Sequence, residues 1–462
     1  MKRLSWTALD TDARRAALAR PEQRSDAGLQ SSVRAIVDDV RERGWQGLAA
    51  HALRIDDALP RRIPVAEAAA RARKSLSADQ VAAMELAARN IRTFHEGSLP
   101  DEHAVETMPG LVVRKVWRAI DRVGLYIPGG KTPLFSTLLM LAIPAQAAGV
   151  RELVVTTPPD HRDGGLDPVI ALAAELCGIE AVWTAGGAQA IAALAFGAGD
   201  IPRVDKICGP GNAWVAEAKT IVASMPGGPA VDMPAGPSEL LVIADDSADP
   251  ATVAADLLSQ AEHDASAQVL LVTPSAAVAD RVEAELDRQV AELPRRSVAE
   301  ASLREARVIV SADLAQAVEI ANLYAPEHLS LAVADAEALL PLVRNAGAVF
   351  AGPLAAETFG DYLAGSSHVL PTDGAARAWS GVSVHTFLKA MTVQTVTPDA
   401  AQAIAGPAAT LARLEALEAH ARAADARLLP PAPSGEGRPF PPSPLGEGSG
   451  VGTVVSETGE AV

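Results

Sequence analysis

Cysteine is nearly absent: Cys177 and Cys208 are the only two in 462 residues, and they form no CxxC pair. A disulfide framework and a thiolate zinc knuckle are therefore excluded as organising features, and a reducing cytoplasm is the expected setting. Aromatic residues make up 3% of the chain, so alanine, leucine and valine must build the core, which suits helices laid on sheets. Positive charge is in deficit. A formal net charge of -17 opposes binding to a phosphate backbone, so no nucleic-acid partner is expected, and its plain consequence is solubility. Long hydrophobic runs are missing too. The opening MKRLSWTALDTDARRAALAR has no signal-like apolar stretch. The most apolar segment, Leu138 to Val150, is interrupted by Pro144 and falls short of the ~20 residues of a membrane span. The expectation is a soluble, cytoplasmic protein that neither spans nor binds a membrane.

The chain is long enough for two or more cores. From Arg122 onward, short apolar runs alternate with helical patterns. The first series places strands at Val123–Ile127, Leu153–Thr157, Ala181–Thr184 and Val204–Cys208. The second places them at Glu239–Ala244, Gln268–Thr273, Ala306–Ser311, Leu329–Val333 and Ala348–Phe350. Helical patterns separate them, including Thr252–His263, Leu314–Tyr324 and Ala336–Arg344. Such repeats predict parallel sheets covered on both faces. The expected fold is α/β: two doubly wound, incomplete Rossmann-like parallel-sheet domains, with helical N- and C-terminal arms used in dimerisation. The expected boundaries are an N-terminal helical arm at 1–24, a discontinuous first domain at 25–122 and 239–382, and a second domain at 123–238. A C-terminal helical arm follows at 383–429, where Leu411, Leu414, Leu417, Ala421 and Ala424 keep helical spacing. The Pro-, Gly- and Ser-rich stretch at 430–462 cannot build a core and is expected to be disordered.

The histidines keep company with carboxylates and amides. Gln260 and His263 lie three apart near a helix end and share a face; imidazole and a side-chain carbonyl are both plausible metal donors. Glu327 and His328 follow Pro326 at a helix-to-strand junction, where neighbouring side chains project differently and can serve separate proton transfers. Asp361 sits between Gly360 and Gly365 and could complete a metal sphere, with His368 a few residues on. His420 lies far along the appended helix. Each of these clusters also admits a plain solvated reading. Three glycine turns add possible ligand sites. LYIPGGKTPLF contains Tyr126, TAGGAQAIAALAFG contains Gln189, and KICGPGNAWVAEAK contains Asn212. The last two put glycines between a strand and a helix N-terminus, the geometry that receives phosphate.

Taken together, YIPGG, GGAQAIAALAFG, GPGNAWVAEAK, VDMPAGPSELLVIADDSADPATVAADLLSQAEH, APEHLSL, GDYLAGSSHVLPT and LEALEAH resemble the histidinol dehydrogenase family, to about residue 428. The resemblance implies an NAD-dependent oxidoreductase with one zinc per subunit. It would oxidise L-histidinol to L-histidine through L-histidinaldehyde with two NAD, the last step of histidine biosynthesis. It further implies zinc ligands at Gln260, His263 and Asp361, with His420 reaching the site of the neighbouring subunit of a homodimer. His328 matches the general base and Glu327 the residue that activates water. Ser238, His368 and Glu415 match substrate contacts, alongside the zinc ligands and His328. Tyr126, Gln189 and Asn212 match positions that touch NAD. Ser367 departs from the asparagine frequent in the family, and the stretch after 429 has no counterpart in the pattern. Glu415 and His420 lie five apart, roughly 140° around a regular helix, so they share a site only if they flank it or the helix bends. A related enzyme acting on another small alcohol, such as a sulfonated diol, and a catalytically silent metal-binding or scaffold protein are the alternatives.

Overall fold

The computed structural model describes residues 1–20, 27–129, 133–233 and 236–428. The stretch 430–462 expected to be disordered lies outside the described residues. Strand β1 (Lys2–Ser5) and helix α1 (Thr11–Ala17) are followed by α2 (Ala27–Arg43), α3 (Trp45–Asp56), β2 (Arg62–Pro64), α4 (Val65–Ser75) and α5 (Ala78–Glu96). Next come β3 (His103–Met108), β4 (Leu111–Ala119), β5 (Arg122–Tyr126), α6 (Phe135–Ala147), β6 (Glu152–Thr157), α7 (Pro168–Leu176), β7 (Ala181–Thr184) and α8 (Gly187–Phe196). The chain continues through β8 (Lys206–Cys208), α9 (Ala213–Ser224), β9 (Ala230–Val231), β10 (Glu239–Ala244), α10 (Pro250–Ala261), β11 (Gln268–Thr273) and α11 (Ala276–Val290). It ends with α12 (Arg296–Glu305), β12 (Arg307–Val310), α13 (Leu314–Tyr324), β13 (His328–Ala332), β14 (Ala348–Ala351), α14 (Glu357–Tyr362), β15 (Leu388–Val396), α15 (Pro398–Leu414) and α16 (Glu418–Asp425).

Two six-stranded sheets carry the larger unit, residues 1–102 and 115–391. The first has the order β1-β12-β11-β10-β13-β14 and is parallel in every pairing. The second has the order β2-β7-β6-β5-β8-β9, parallel except for β2 on the edge of β7. In each, the chain steps outward to one side and then returns to the middle to build the other. Sheet 1 therefore switches direction between β10 and β13, and sheet 2 between β5 and β8.

Period-two alternation explains why both sheets are covered twice. Leu240, Val242, Val269 and Leu271 enter one apolar cluster with α10, α11 and α12, while Leu241, Ile243, Leu270 and Val272 enter another with α13. Each of these buried aliphatic side chains contributes about 1.5–3 kcal/mol. Helix α6 is apolar all round and buried from Ser136 to Ala145, as a helix inside a core must be. That accounts for the Leu138–Val150 run, and no helix among the described residues is long and apolar enough to cross a membrane.

Several expected boundaries change. The first residues are not a free helical arm: Lys2–Ser5 forms the edge strand of sheet 1 on β12, with Trp6 buried beneath it. Helices α2, α4 and α5 pack on α8, α7 and α6, and β2 joins β7, so most of 27–96 belongs with sheet 2 rather than with the 239–382 domain. The physical reason is that sheet 2 needs cover on both faces: α4 and α5 join α6 and α7 in the apolar cluster on one, and α2 and α3 join α8 and α9 in the cluster on the other. Ala336–Arg344 is no α-helix but a short 3-10 turn at Leu340–Leu342. In the 383–429 segment, Leu388–Val396 is a strand.

The smaller unit comprises 103–114 and the described residues from 392 onward. A three-stranded sheet has the order β15-β4-β3. Helices α15 and α16 pack on each other, burying Ala405, Ala409 and Ala421 and leaving Leu411 and Leu414 64% and 79% exposed. The helix breaks between them: Glu415 caps α15 and Ala416 takes φ 59°, so Glu415 and His420 do not lie on one regular helix.

Candidate active site

Apart from Glu415 and His420, which lie in the smaller unit, the functional candidates collect at two sheet edges. In sheet 1 they sit at the amino ends of the strands flanking the switch point. Ser238 and Glu239 open β10, and Glu327 and His328 open β13, with Leu240 in register with His328. Helix α10 runs back from β10, with Asp249 as N-cap and Pro250 at its first position, so its last turn returns Gln260 to this edge. Helix α14 packs on α10 and brings in Glu357 and Asp361. In sheet 2 the candidates sit at the carboxyl ends. Tyr126 ends β5, Gln189 lies in the first turn of α8 after β7, and Asn212 caps α9 after β8.

At the sheet 1 edge, the His328 ring is buried and its hydrogen bonding defines its tautomer. Nδ1 lies 3.1 Å from the carbonyl oxygen of Glu239, which can only accept, so Nδ1 carries the proton. Glu357 Oε1 faces the same nitrogen at 3.3 Å and Glu327 Oε2 at 3.6 Å. Nε2 keeps its lone pair, has no hydrogen-bond partner, and lies 3.9 Å from Asp361 Oδ1. Burial lowers the imidazole to about 3, aided by His368 and His263 nearby, so the ring is neutral at physiological pH.

The carboxyls around it are shifted the other way. Glu327 is buried, which raises it well above the usual carboxylate range even though its Oε2 accepts the Glu239 N–H at 2.8 Å. Glu357 is raised by burial and by the charges of Asp361 and Glu327, and its Oε2 has no partner. Burial pushes Asp361 up to about 6. Gln260 is completely buried, and both its amide oxygen and nitrogen lack hydrogen-bond partners. An amide left so exposed to desolvation, at a cost of about 1–3 kcal/mol, points to a ligand for that oxygen. His263 is exposed just beyond the end of α10.

His368 is engaged on both nitrogens: Nδ1 donates to the carbonyl oxygen of Asp361 at 3.1 Å, and Nε2 faces Thr137 Oγ1 at 3.1 Å. Thr137 belongs to α6, which follows β5, so this bond ties the amino edge of sheet 1 to the helix that leaves the carboxyl edge of sheet 2. Ser238 is half-buried beside Glu239. Glu415 and His420 are exposed in the smaller unit.

At the sheet 2 edge, the Tyr126 hydroxyl accepts the N–H of Gly187 at 3.2 Å, and burial pushes the phenol up to about 12. Gln189 donates to Asp56 Oδ2 at 3.2 Å while its own Oε1 is buried without a partner. Asn212 Oδ1 accepts from the N–H groups of Trp214 and Val215 at 3.1 and 3.2 Å, which caps α9 and leaves its NH2 group outward. Gly209, at φ 133°, passes so close to the backbone of Tyr126 that a Cβ would overlap it. A buried Lys219–Asp232 ion pair holds that glycine: Asp232 Oδ2 accepts its N–H at 2.7 Å, and Lys219 Nζ donates to its carbonyl at 3.0 Å.

A sequence model described as histidinol dehydrogenase matches residues 18–428. The histidinol dehydrogenase of Xanthomonas campestris pv. campestris (strain 8004) is 48% identical over 93% of this chain and 99% of its own length. That of Aliivibrio fischeri is 44% identical over 93% of this chain and 97% of its own. The crystal structure of histidinol dehydrogenase from Elizabethkingia anophelis superposes with a TM-score of 0.89 at 40% identity, covering 93% of this chain and 98% of that one. The chain belongs to the histidinol dehydrogenase family. An oxidoreductase with the α/β architecture of histidinol dehydrogenase is thereby supported.

Sequence reasoning missed two residues that the structure packs against His328, Glu357 and Glu239. Glu357 lies four residues before Asp361, the spacing that puts both on one helix face, and ETFGD carried that signal. Glu239 sits inside the quoted PAGPSELL run, but its part is played by backbone atoms, which no side-chain motif reveals. Among the described histidine, cysteine and acidic residues, the cluster of possible donors is His328, Glu357 and Asp361, whose ligand atoms lie within 4.8 Å of one another. It shares Asp361 with the predicted zinc set and differs in the rest.

Proposed function

We propose that the protein oxidises L-histidinol to L-histidine through L-histidinaldehyde, using two NAD and one zinc per subunit, as the last step of histidine biosynthesis in the cytoplasm. The observation that carries this reading is the tautomer of His328, whose protonated Nδ1 is tied to Glu239 and whose Nε2 lone pair is free. Such a nitrogen accepts the proton of the substrate hydroxyl while hydride leaves the adjacent carbon. Glu357, against Nδ1, steadies the imidazolium that results. Glu327, held through one oxygen by the Glu239 N–H, takes a proton from water as it adds to the aldehyde, and the hydrate can then lose the second hydride. NAD supplies the hydride acceptor when bound. Tyr126, Gln189 and Asn212 would meet NAD at the carboxyl ends of the sheet 2 strands, beside its switch point, where dinucleotides bind in such sheets.

Gln260, His263 and Asp361 would hold zinc, together with His420 of a second copy in a homodimer with shared sites. The orphaned Gln260 amide fits that part, and amide, imidazole and carboxylate suit the metal. Zinc would orient the substrate imidazole and amine rather than carry redox chemistry. Ser238, His368 and Glu415 would contact the substrate. The exposed Leu411 and Leu414 on α15 suit burial in that dimer. A second reading of the metal site uses His328, Glu357 and Asp361, favoured by their convergence.

The test is a zinc titration of metal-free protein, followed by melting temperature and by counting NAD reduced per histidinol. Zinc is expected to raise the melting temperature of the wild type and of Glu357→Gln, but not of Gln260→Leu. The reverse pattern moves the metal to the second set. A stoichiometry of one NAD per histidinol, or full turnover by exhaustively metal-free enzyme, sinks the corresponding part.

A further inference from the structure

Arg20 and Glu239 form a buried ion pair that the chemistry above leaves unexplained; their side chains are 15% and 2% exposed. The guanidinium takes both carboxylate oxygens, Nε meeting Oε1 and Nη2 meeting Oε2 at 2.8 Å. The same Nη2 donates to the carbonyl of Tyr324 at 2.9 Å, and the guanidinium stacks on the Tyr324 ring with Cζ 3.9 Å from its centroid. The N–H of Asp373 adds a further bond to Glu239 Oε1 at 3.0 Å. Tyr324 ends α13, Ala325 turns the chain at φ 54°, and Glu327 and His328 follow after Pro326. One side chain thus grips both the residue that opens β10 and the turn that delivers β13.

The Glu239 backbone then reaches the two reacting side chains. Its N–H holds Glu327 Oε2 at 2.8 Å and its carbonyl holds His328 Nδ1 at 3.1 Å. A buried ion pair is weak evidence for stability, because apolar residues of the same volume commonly serve the fold as well. What the planar fork supplies is direction, since it fixes two carboxylate oxygens and a carbonyl in one geometry.

We propose that Arg20 is a positioning residue for the oxidation: through Glu239 it aims Glu327 and fixes the ring orientation and tautomer of His328. This rests on the reading of His328 as the base. The geometry asks for a group that is planar and cationic, so lysine is a poor substitute despite its charge.

The test uses the full-length, zinc- and NAD-loaded enzyme with histidinol as substrate, comparing Arg20→Lys, Arg20→Met, Glu239→Gln and the Arg20→Met/Glu239→Gln double variant. Loss of aim should lower kcat roughly 10- to 100-fold in Arg20→Met, with KM for histidinol changed by less than about threefold. The acidic limb of the kcat–pH profile should move with it, and Arg20→Lys should recover only part of the rate. The double variant should be little worse than the worse single one, because both act through one contact. A lower melting temperature with wild-type kcat and pH profile would show a merely structural pair and overturn the proposal, as would full rescue by lysine. If Arg20→Met does not fold, the nearly isosteric Glu239→Gln decides by the same readouts. His328→Gln is measured alongside. If it keeps normal turnover, the assignment of the base fails; if it alone loses turnover, only the role of Arg20 falls.

Discussion

The two sheets of the larger unit are wound alike yet carry their candidate site residues at opposite edges. Sheet 2 presents Tyr126, Gln189 and Asn212 at the carboxyl ends of its strands, where glycine turns lead into helix N-termini. Sheet 1 presents Glu327, His328 and Ser238 at the amino ends, where a helix end returns Gln260. The difference follows from what each edge offers. A carboxyl edge exposes helix N-termini and backbone N–H groups, which suit a phosphate-bearing cofactor. An amino edge exposes helix C-termini and strand-opening carbonyls, and one such carbonyl, on Glu239, sets the tautomer of His328. Each switch point is also held by a buried ion pair acting on backbone: Arg20–Glu239 in sheet 1 and Lys219–Asp232 in sheet 2.

That division of labour can be broken by substitution. The largest effect is expected from His328→Gln, which should lower kcat by roughly 10²- to 10⁴-fold while KM for NAD stays near wild type. Steady-state kinetics with both substrates varied will show it. A selective rise in KM for NAD would break the division between edges. Asp232→Ala leaves Lys219 buried without its partner and should destabilise the fold by about 3–5 kcal/mol in urea unfolding. Because it also frees the Gly209 turn, its kinetic effect should fall on NAD binding; a loss confined to kcat would count against the comparison.

Burial acts on an imidazole in each half, and pH separates the outcomes. His95, on α5 over sheet 2, is fully buried with neither ring nitrogen bonded, and burial lowers it from 6.5 to about 4. The unfolded chain therefore takes up that proton first, and its contribution to stability falls as pH drops from 6.5 toward 4. His95→Leu should remove that loss, so the variant should gain of the order of 1–3 kcal/mol over wild type by pH 4 and show no such pH-dependent gain above pH 7. Urea unfolding at several pH values tests this, and a gain independent of pH would refute it. The smallest effect belongs to Asn212→Ala. Losing the cap of α9 should cost about 1 kcal/mol of stability, and KM for NAD should rise about fivefold if the side chain also meets the cofactor. Unchanged KM for NAD would leave Asn212 as a cap alone.

Much of this was legible in the residues. Apolar runs of strand length alternating with helical patterns located β10, β11 and α13 to the residue, because local periodicity reports burial on both faces. The same pattern failed at Ala336–Arg344, where helical spacing folds as a turn, and at Lys2–Ser5, whose charged residues make an edge strand only because β12 offers a free side. The site candidates were legible as motifs, since histidine, glutamine and carboxylate identities travel with the sequence. Their grouping was not. The company of His328 with Glu357 and the carbonyl of Glu239 depends on contacts 29 and 89 positions apart, and the second of these is made by a backbone atom that every residue possesses. The pairing of Arg20 with Glu239 spans 219 positions and crosses from an N-terminal segment to the centre of a sheet. Composition, element type and the inventory of chemical groups belong to the sequence alone, because they depend on residue identity and short-range spacing. Tautomer, aim and the choice of sheet edge belong to the tertiary structure, because hydrogen bonds and desolvation act between groups that only folding brings together.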